Sequence, residues 1–198
     1  MHTSVQLNLM ARNYTLKRRA ESQAETRRRI VEAAVDLHGA LGPANTTISM
    51  IAERAGVQRH TLYSHFPDER SMLMACSAHS LERDPMPDAA PWRAIADPAE
   101  RLRTGLSAIY AWYERNEGLV AAVLRDAEHH ALVREIIALR YEPCMASWRE
   151  ALSVKLPARQ RAMLTLALSF HTWRTLAREA ALKPNAAVTA MVNAVTAV

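Results

Sequence analysis

Apolar residues recur at helical spacing along most of the chain. Ile30, Ala33, Ala34, Leu37 and Leu41 repeat at intervals of three and four, which predicts an amphipathic helix. Ser22 with Glu25 three residues on fits a capping box and places the helix start there. Gly39, Gly42 and Pro43 end it. A second, short helix opens at Thr46 or Thr47, either of which can cap its orphan amides, and buries Ile48, Ile51, Ala52 and Ala55. Gly56 stops it by accepting left-handed backbone. After the turn Gly56-Val57-Gln58, a helix of one to two turns runs from about Arg59 to His65, with Leu62 and Phe66 pointing inward beside Val57. Pro67 breaks it, and Asp68 caps a fourth helix to about Glu82.

Four prolines within 83–98 (Pro85, Pro87, Pro91, Pro98) read as a linker. Beyond it the helical period returns. Leu102, Leu106, Ile109 and Tyr113 mark one helix, and Gly118 breaks the chain before Leu119–Ala127. A long helix is expected from about Leu132 to Val154, another over Pro157–Ala181, and a last one from Pro184 to about Thr196. Strand-like alternation and internal repeats are absent. The pattern predicts an all-α chain of about nine helices in two parts. Residues 1–21 form a flexible basic arm, with Lys17, Arg18 and Arg19 clustered. Residues 22–68 form a helix-turn-helix domain, 69–82 a connecting helix, and 83–198 the second part. Met10 offers an alternative start.

Composition narrows the class. Hydrophobic residues at 49% and charged residues at 23% support a buried core and exclude a disordered tail. Cys76 and Cys144 are too few for a disulfide framework or a zinc site. No apolar run reaches membrane-spanning length, and the N-terminus lacks a signal-peptide core, so a cytoplasmic protein without a membrane partner is expected. The net charge is +5, and residues 1–66 carry 9 basic against 5 acidic side chains. That excess at one end fits contact with a polyanion, or a plain solvated face.

Catalysis finds little support. Glu128-His129-His130 is the one compact titratable cluster, and adjacent histidines on a helix point about 100° apart, so they do not share a metal. A phosphate-binding glycine loop and a nucleophile elbow are both missing. Neither a catalytic residue, a metal nor a cofactor is expected.

The stretch from Thr47 to Phe66 carries the chemistry. Two short helices that cross steeply need small residues at the crossing, which Ala52, Ala55 and Gly56 supply. The second helix must present a polar outer face to a groove. Gln58, Arg59, His60, Thr61, Tyr63 and Ser64 all form hydrogen bonds, with no acidic residue among Gly56 to Ser64. Arg59 can fork onto guanine or phosphate, and Gln58 can read adenine. Thr46, Thr47 and Tyr63 suit phosphate oxygens.

Arg27 to Ala75 resembles the DNA-binding domain of tetracycline-repressor (TetR) type regulators. The resemblance rests on Thr47-Ile48, Ile51-Ala52, Ala55-Gly56-Val57, Thr61-Leu62-Tyr63 and His65-Phe66-Pro67, in order and at matching spacing. It implies a homodimeric transcription factor on double-stranded DNA, usually a repressor released by a small molecule. By position it implies that Thr47 caps the second helix and touches phosphate, that Arg59 and His60 face bases, and that Thr61 and Tyr63 meet backbone or base edges. Gln58 replaces the family's usual capping serine. Ser64 stands where a basic residue is common, and Arg70 is a candidate to restore phosphate attraction. Arg27 is either a phosphate contact or part of a solvated face with Arg28 and Arg29, and His65 is read as packing. A regulator without a small-molecule effector, constitutive or governed by a protein partner, is the alternative.

The last helix, from Asn185, is apolar or small almost all round and calls for burial on more than one side. Leu164, Leu168 and His171, with Val188, Met191, Val192 and Val195, are therefore expected at a two-fold dimer interface. Eight of the eleven aromatic residues lie at or beyond Trp92. Tyr110, Trp112, Tyr113, Trp148, Phe170 and Trp173, with Leu106 and Met145, are either ordinary core or the wall of the partly hydrophobic effector pocket that the resemblance implies.

Overall fold

A computed structural model describes the backbone of residues 2–197 and the side chains of Tyr14 and residues 16–197. Met1, the alternative to a start at Met10, lies outside the described residues. The described chain is all-α, with eleven α-helices. None of them is long and apolar enough to cross a membrane.

The first helix, α1, spans His2–Leu41. It does not start at Ser22, and the expected arm is its N-terminal extension. The residues before Ser22 include Leu16, Lys17, Arg18, Arg19, Ala20 and Glu21, all good helix formers, and nothing there breaks the helix. Glu25 accordingly makes no capping bond and pairs with Arg28 at 2.7 Å. Next come α2 (Ile48–Ala55), α3 (Arg59–His65) and α4 (Glu69–Arg83). Ile30, Ala34, Ile51, Leu62, Phe66 and Met72 form the core of this N-terminal unit.

The proline-rich segment is packed rather than loose: its 3-10 turn at Ala90–Ala94 buries Trp92. After it come α5 (Pro98–Arg115), α6 (Glu117–Ala127), α7 (Ala131–Arg140), α8 (Glu142–Leu152), α9 (Ala158–Ala167), α10 (Phe170–Arg174) and α11 (Pro184–Thr196). The expected helix over 132–154 is two helices, because Pro143 in the first turn of α8 cannot donate into a continuing helix. The expected helix over 157–181 also breaks, at Ser169, and ends in a π-helical turn at Thr175–Glu179.

A second core is built from α5, α8 and α11 around Leu102, Leu106, Ile109, Trp148, Leu152 and Val192. The helix α4 joins the two units. Met72 and Cys76 belong to the N-terminal core, while Leu73 packs with Val133 and Ile136 of α7. Polar ties reinforce the junction. The buried Asp126 carboxylate accepts from the Ala44 N–H at 2.8 Å, and Arg125 donates to the Leu41 carbonyl at 2.8 Å. Gly42, at φ 94, is required there: a Cβ would sit 2.3 Å from Asp126 Oδ2.

Candidate nucleic-acid interface

The turn between α2 and α3 is fixed by local chemistry. Thr47 caps α2, its hydroxyl accepting from the Met50 N–H at 3.3 Å. Gly56 adopts left-handed backbone at φ 64, and the Val57 N–H closes the helix end on the Ala52 carbonyl at 2.9 Å. Leu62, at 0% exposure, and Phe66 anchor α3, which leaves its opposite side to solvent. Full burial of a leucine is worth about 1.5–3 kcal/mol, enough to hold so short a helix in place.

On that outer side Arg59, His60, Tyr63 and Ser64 are exposed, and Tyr63 keeps 52% of its surface in water. Arg59 has no carboxylate within ion-pair distance among the described residues, so its guanidinium remains available. Gln58 holds the N-cap position without a side-chain bond to the helix, leaving its amide uncommitted. Thr61 is half-buried, with its hydroxyl 3.4 Å from His60 Nε2.

Several expected contacts are spent elsewhere. Ser64 donates to the Thr61 carbonyl at 2.7 Å, and Thr46 to the Gly42 carbonyl at 2.8 Å. Arg70 is bound to Glu135 of α7 at 2.8 Å, so it ties the two units together and does not lie free for phosphate. The Arg27 guanidinium stacks over the Phe66 ring at 4.8 Å, bracing α1 against the end of α3. His65 packs its ring beside Phe66. The junction around Asp126 and the stacking of Arg27 escaped sequence reasoning, because both join residues distant in the chain.

Residues 30–76 match the family model described as "Bacterial regulatory proteins, tetR family". The chain carries a TetR-family N-terminal domain. Among similar proteins, the HTH-type transcriptional regulator SrpR of Pseudomonas putida is 36% identical over 85 residues, 40% of each protein. The uncharacterized HTH-type regulator TtgW of P. putida is 36% identical over 85 residues, 40% of this chain and 63% of that one. The HTH-type transcriptional repressor KstR of Rhodococcus jostii is 33% identical over 107 residues, 54% of this chain and 49% of that one. The chain thus spans less than two thirds of the length of each of these relatives. The TetR-like fold extends further. The structure of Salmonella enterica GusR superposes with a TM-score of 0.61 at 19% identity, covering 87% of this chain and 94% of that one. A tetR-family regulator from Streptomyces coelicolor gives 0.59 at 18% identity, covering 88% and 80%.

The second unit of this TetR-like fold encloses a cavity of about 310 Å³. Trp112, Tyr113, Met145, Trp148 and Phe170 line it, joined by Leu119, Val120, Val123 and Tyr141. Leu106, Tyr110 and Trp173 are packed in the adjoining core and do not reach its wall. The aromatic polar tips are satisfied by backbone. Trp112 Nε1 donates to the Asp84 carbonyl at 3.1 Å, and Trp148 Nε1 to that of Pro87 at 2.7 Å. The hydroxyls of Tyr110 and Tyr113 donate to the carbonyls of Ala167 and Leu168, each at 2.8 Å, and burial raises both phenols well above their ordinary range.

The residues expected at a dimer interface are placed differently. Leu164, Val188, Val192 and Val195 are buried inside the protomer, because α11 packs one stripe against α5 and α9. Met191 is half-buried against the same core, and Leu168 and His171 border the cavity. The surface that α9 and α11 turn outward carries Ala162, Thr165, Leu166, Ala186, Thr189 and Asn193.

Proposed function

We propose that the chain is a sequence-specific DNA-binding transcription regulator of the cytoplasm, a homodimer that represses from a palindromic operator and is released by a small molecule held in the cavity. One observation carries the DNA-binding reading: α3 is pinned by Leu62 and Phe66 while Arg59, His60 and Tyr63 stand exposed on its outer side. In this reading Arg59, His60 and Gln58 meet base edges, and Thr47, Thr61 and Tyr63 meet the DNA backbone. Arg27 braces the end of α3 through Phe66. The outward residues of α9 and α11, with the 54%-exposed Leu166 among them, supply the dimer face. Two copies of α3 then address half-sites about 34–36 Å apart. Repression agrees with the description of the relative from R. jostii as a repressor. Ligand gating runs through α4, whose first turn is tied to the effector unit by Glu69–His130 at 3.1 Å and Arg70–Glu135 at 2.8 Å. A ligand shifts the equilibrium only by its preference for one spacing of the two α3 helices.

Fluorescence anisotropy with DNA flanking the chain's own gene tests this, with scrambled DNA as control at two salt concentrations. The expected result is binding to one palindrome tighter by about 10³ or more than to scrambled DNA. Arg59→Ala should cost about 1–3 kcal/mol and relax specificity. Equal, salt-sensitive binding to both DNAs would refute sequence-specific recognition of these sites.

A further inference from the structure

We infer that the cavity takes an uncharged, largely apolar molecule bearing a hydrogen-bond acceptor, with the Tyr141 hydroxyl as its polar anchor. This rests on the ligand-gated reading above and names the chemistry of its ligand.

The wall residues include no aspartate or glutamate, so a buried cation would find no counter-charge. An anion fares little better. Arg149, the wall's one guanidinium, is already paired with Glu142, and His171 stands exposed at the rim. The tips of Trp112, Trp148 and Tyr113 are bonded to backbone carbonyls, so these rings offer a ligand only carbon.

Tyr141 differs. It is half-buried on the cavity wall, and its hydroxyl has no hydrogen-bond partner among the described residues. Burial pushes its phenol up to about 12, so at neutral pH it keeps its proton and donates. Its place in the fold matters as well. A smaller cavity of about 40 Å³ shares Tyr141 as a wall residue and is bordered by Val35 and His38 of α1 and by Cys76 of α4. Ser80, Leu119, Val123, Ile137 and Tyr141 belong to both walls. The anchor therefore sits in the partition between the ligand and the DNA-binding unit.

Isothermal titration of the full chain with three naphthalenes of matched size tests the inference: neutral 1-acetonaphthone, cationic 1-naphthylmethylammonium and anionic 1-naphthoate. The neutral ketone should bind at least about ten-fold tighter than either ion. Tyr141→Phe should weaken the ketone about 3- to 10-fold, the loss of one hydrogen bond, and leave the ions unchanged. Equal or tighter binding of an ion overturns the assigned class, as does the absence of ketone binding up to millimolar concentration. An unchanged affinity in Tyr141→Phe overturns the anchor. Operator release is read separately by anisotropy. Ketone binding with Tyr141 dependence but no release would leave the ligand class standing and refute the gating.

Discussion

The two units use polar side chains in opposite directions. Around α3, Gln58, Arg59 and Tyr63 face solvent with their hydrogen-bonding capacity unspent, and exposed His60 meets only its neighbour Thr61. Around the cavity, Trp112, Trp148, Tyr110 and Tyr113 turn their polar tips onto backbone carbonyls 28 to 61 residues away in the chain. The first unit thus offers chemistry outward from a few tightly placed anchors, whereas the second offers mostly shape. A partner rich in oxygen acceptors suits the first, and an apolar molecule suits the second.

The largest expected effect comes from removing an anchor of either unit. Trp148→Ala should cost about 3–5 kcal/mol and Leu62→Ala about 2–5 kcal/mol in chemical denaturation. All four tryptophans lie in the second unit, so their fluorescence reports it alone. Because α4 and Asp126 join the units, Leu62→Ala should shift the fluorescence and circular-dichroism transitions together. Separate transitions would show that the units are independent bodies.

His38 sharpens the comparison at the junction. Burial holds its imidazole down to about 4 against an ordinary 6.5, only partly offset by the Asp126 carboxylate. The folded state therefore prefers the neutral ring, while the unfolded chain takes up a proton between pH 6.5 and 4. Stability should be fully present above pH 6.5 and fall as the pH drops through that window, by roughly 3 kcal/mol in all. His38→Gln should flatten that part of the pH–stability curve, and an unaltered slope would assign the acid sensitivity to other groups.

Smaller effects belong to the outward chemistry. Thr47→Ala removes the cap of α2 and should cost about 1 kcal/mol, seen as a lower denaturation midpoint. Arg70→Ala breaks an exposed ion pair with Glu135 and should change stability by less than about 1 kcal/mol. Its sharper readout is effector response: operator affinity without ligand should hold while ligand-driven release weakens.

The same contrast explains what was legible in the sequence. The α2–α3 pair, the cap at Thr47 and the cap at Asp68 depend on neighbours within four residues, and the chain displays them directly. Pro143 was an equally local signal, and it marks the break between α7 and α8. Ser22 and Glu25 had the spacing of a capping box but no helix-breaking residue ahead of them, so the pattern carried no start. The stripe of Val188, Val192 and Val195 reads the same whether it meets α5 of its own chain or a partner, since periodicity reports burial and not against what. The cavity wall was half legible for a related reason: aromatic content flags Trp112 and Phe170, but no local rule separates them from Tyr110 and Trp173 in the core behind.

The break between α9 and α10 is decided on another helix. In an uninterrupted helix the carbonyls of Ala167 and Leu168 would receive the amides of His171 and Thr172. The phenols of Tyr110 and Tyr113 take those two carbonyls instead, and the Ser169 hydroxyl accepts the His171 amide at 3.2 Å. Two side chains of α5 thus act as splints across a fracture, standing in for a missing turn of backbone. Were both tyrosines phenylalanine, the orphaned carbonyls would recover partners most simply by knitting α9 to α10. Leu168, Ser169 and Phe170 all line the cavity, so two hydroxyl groups of α5 brace that stretch of its wall.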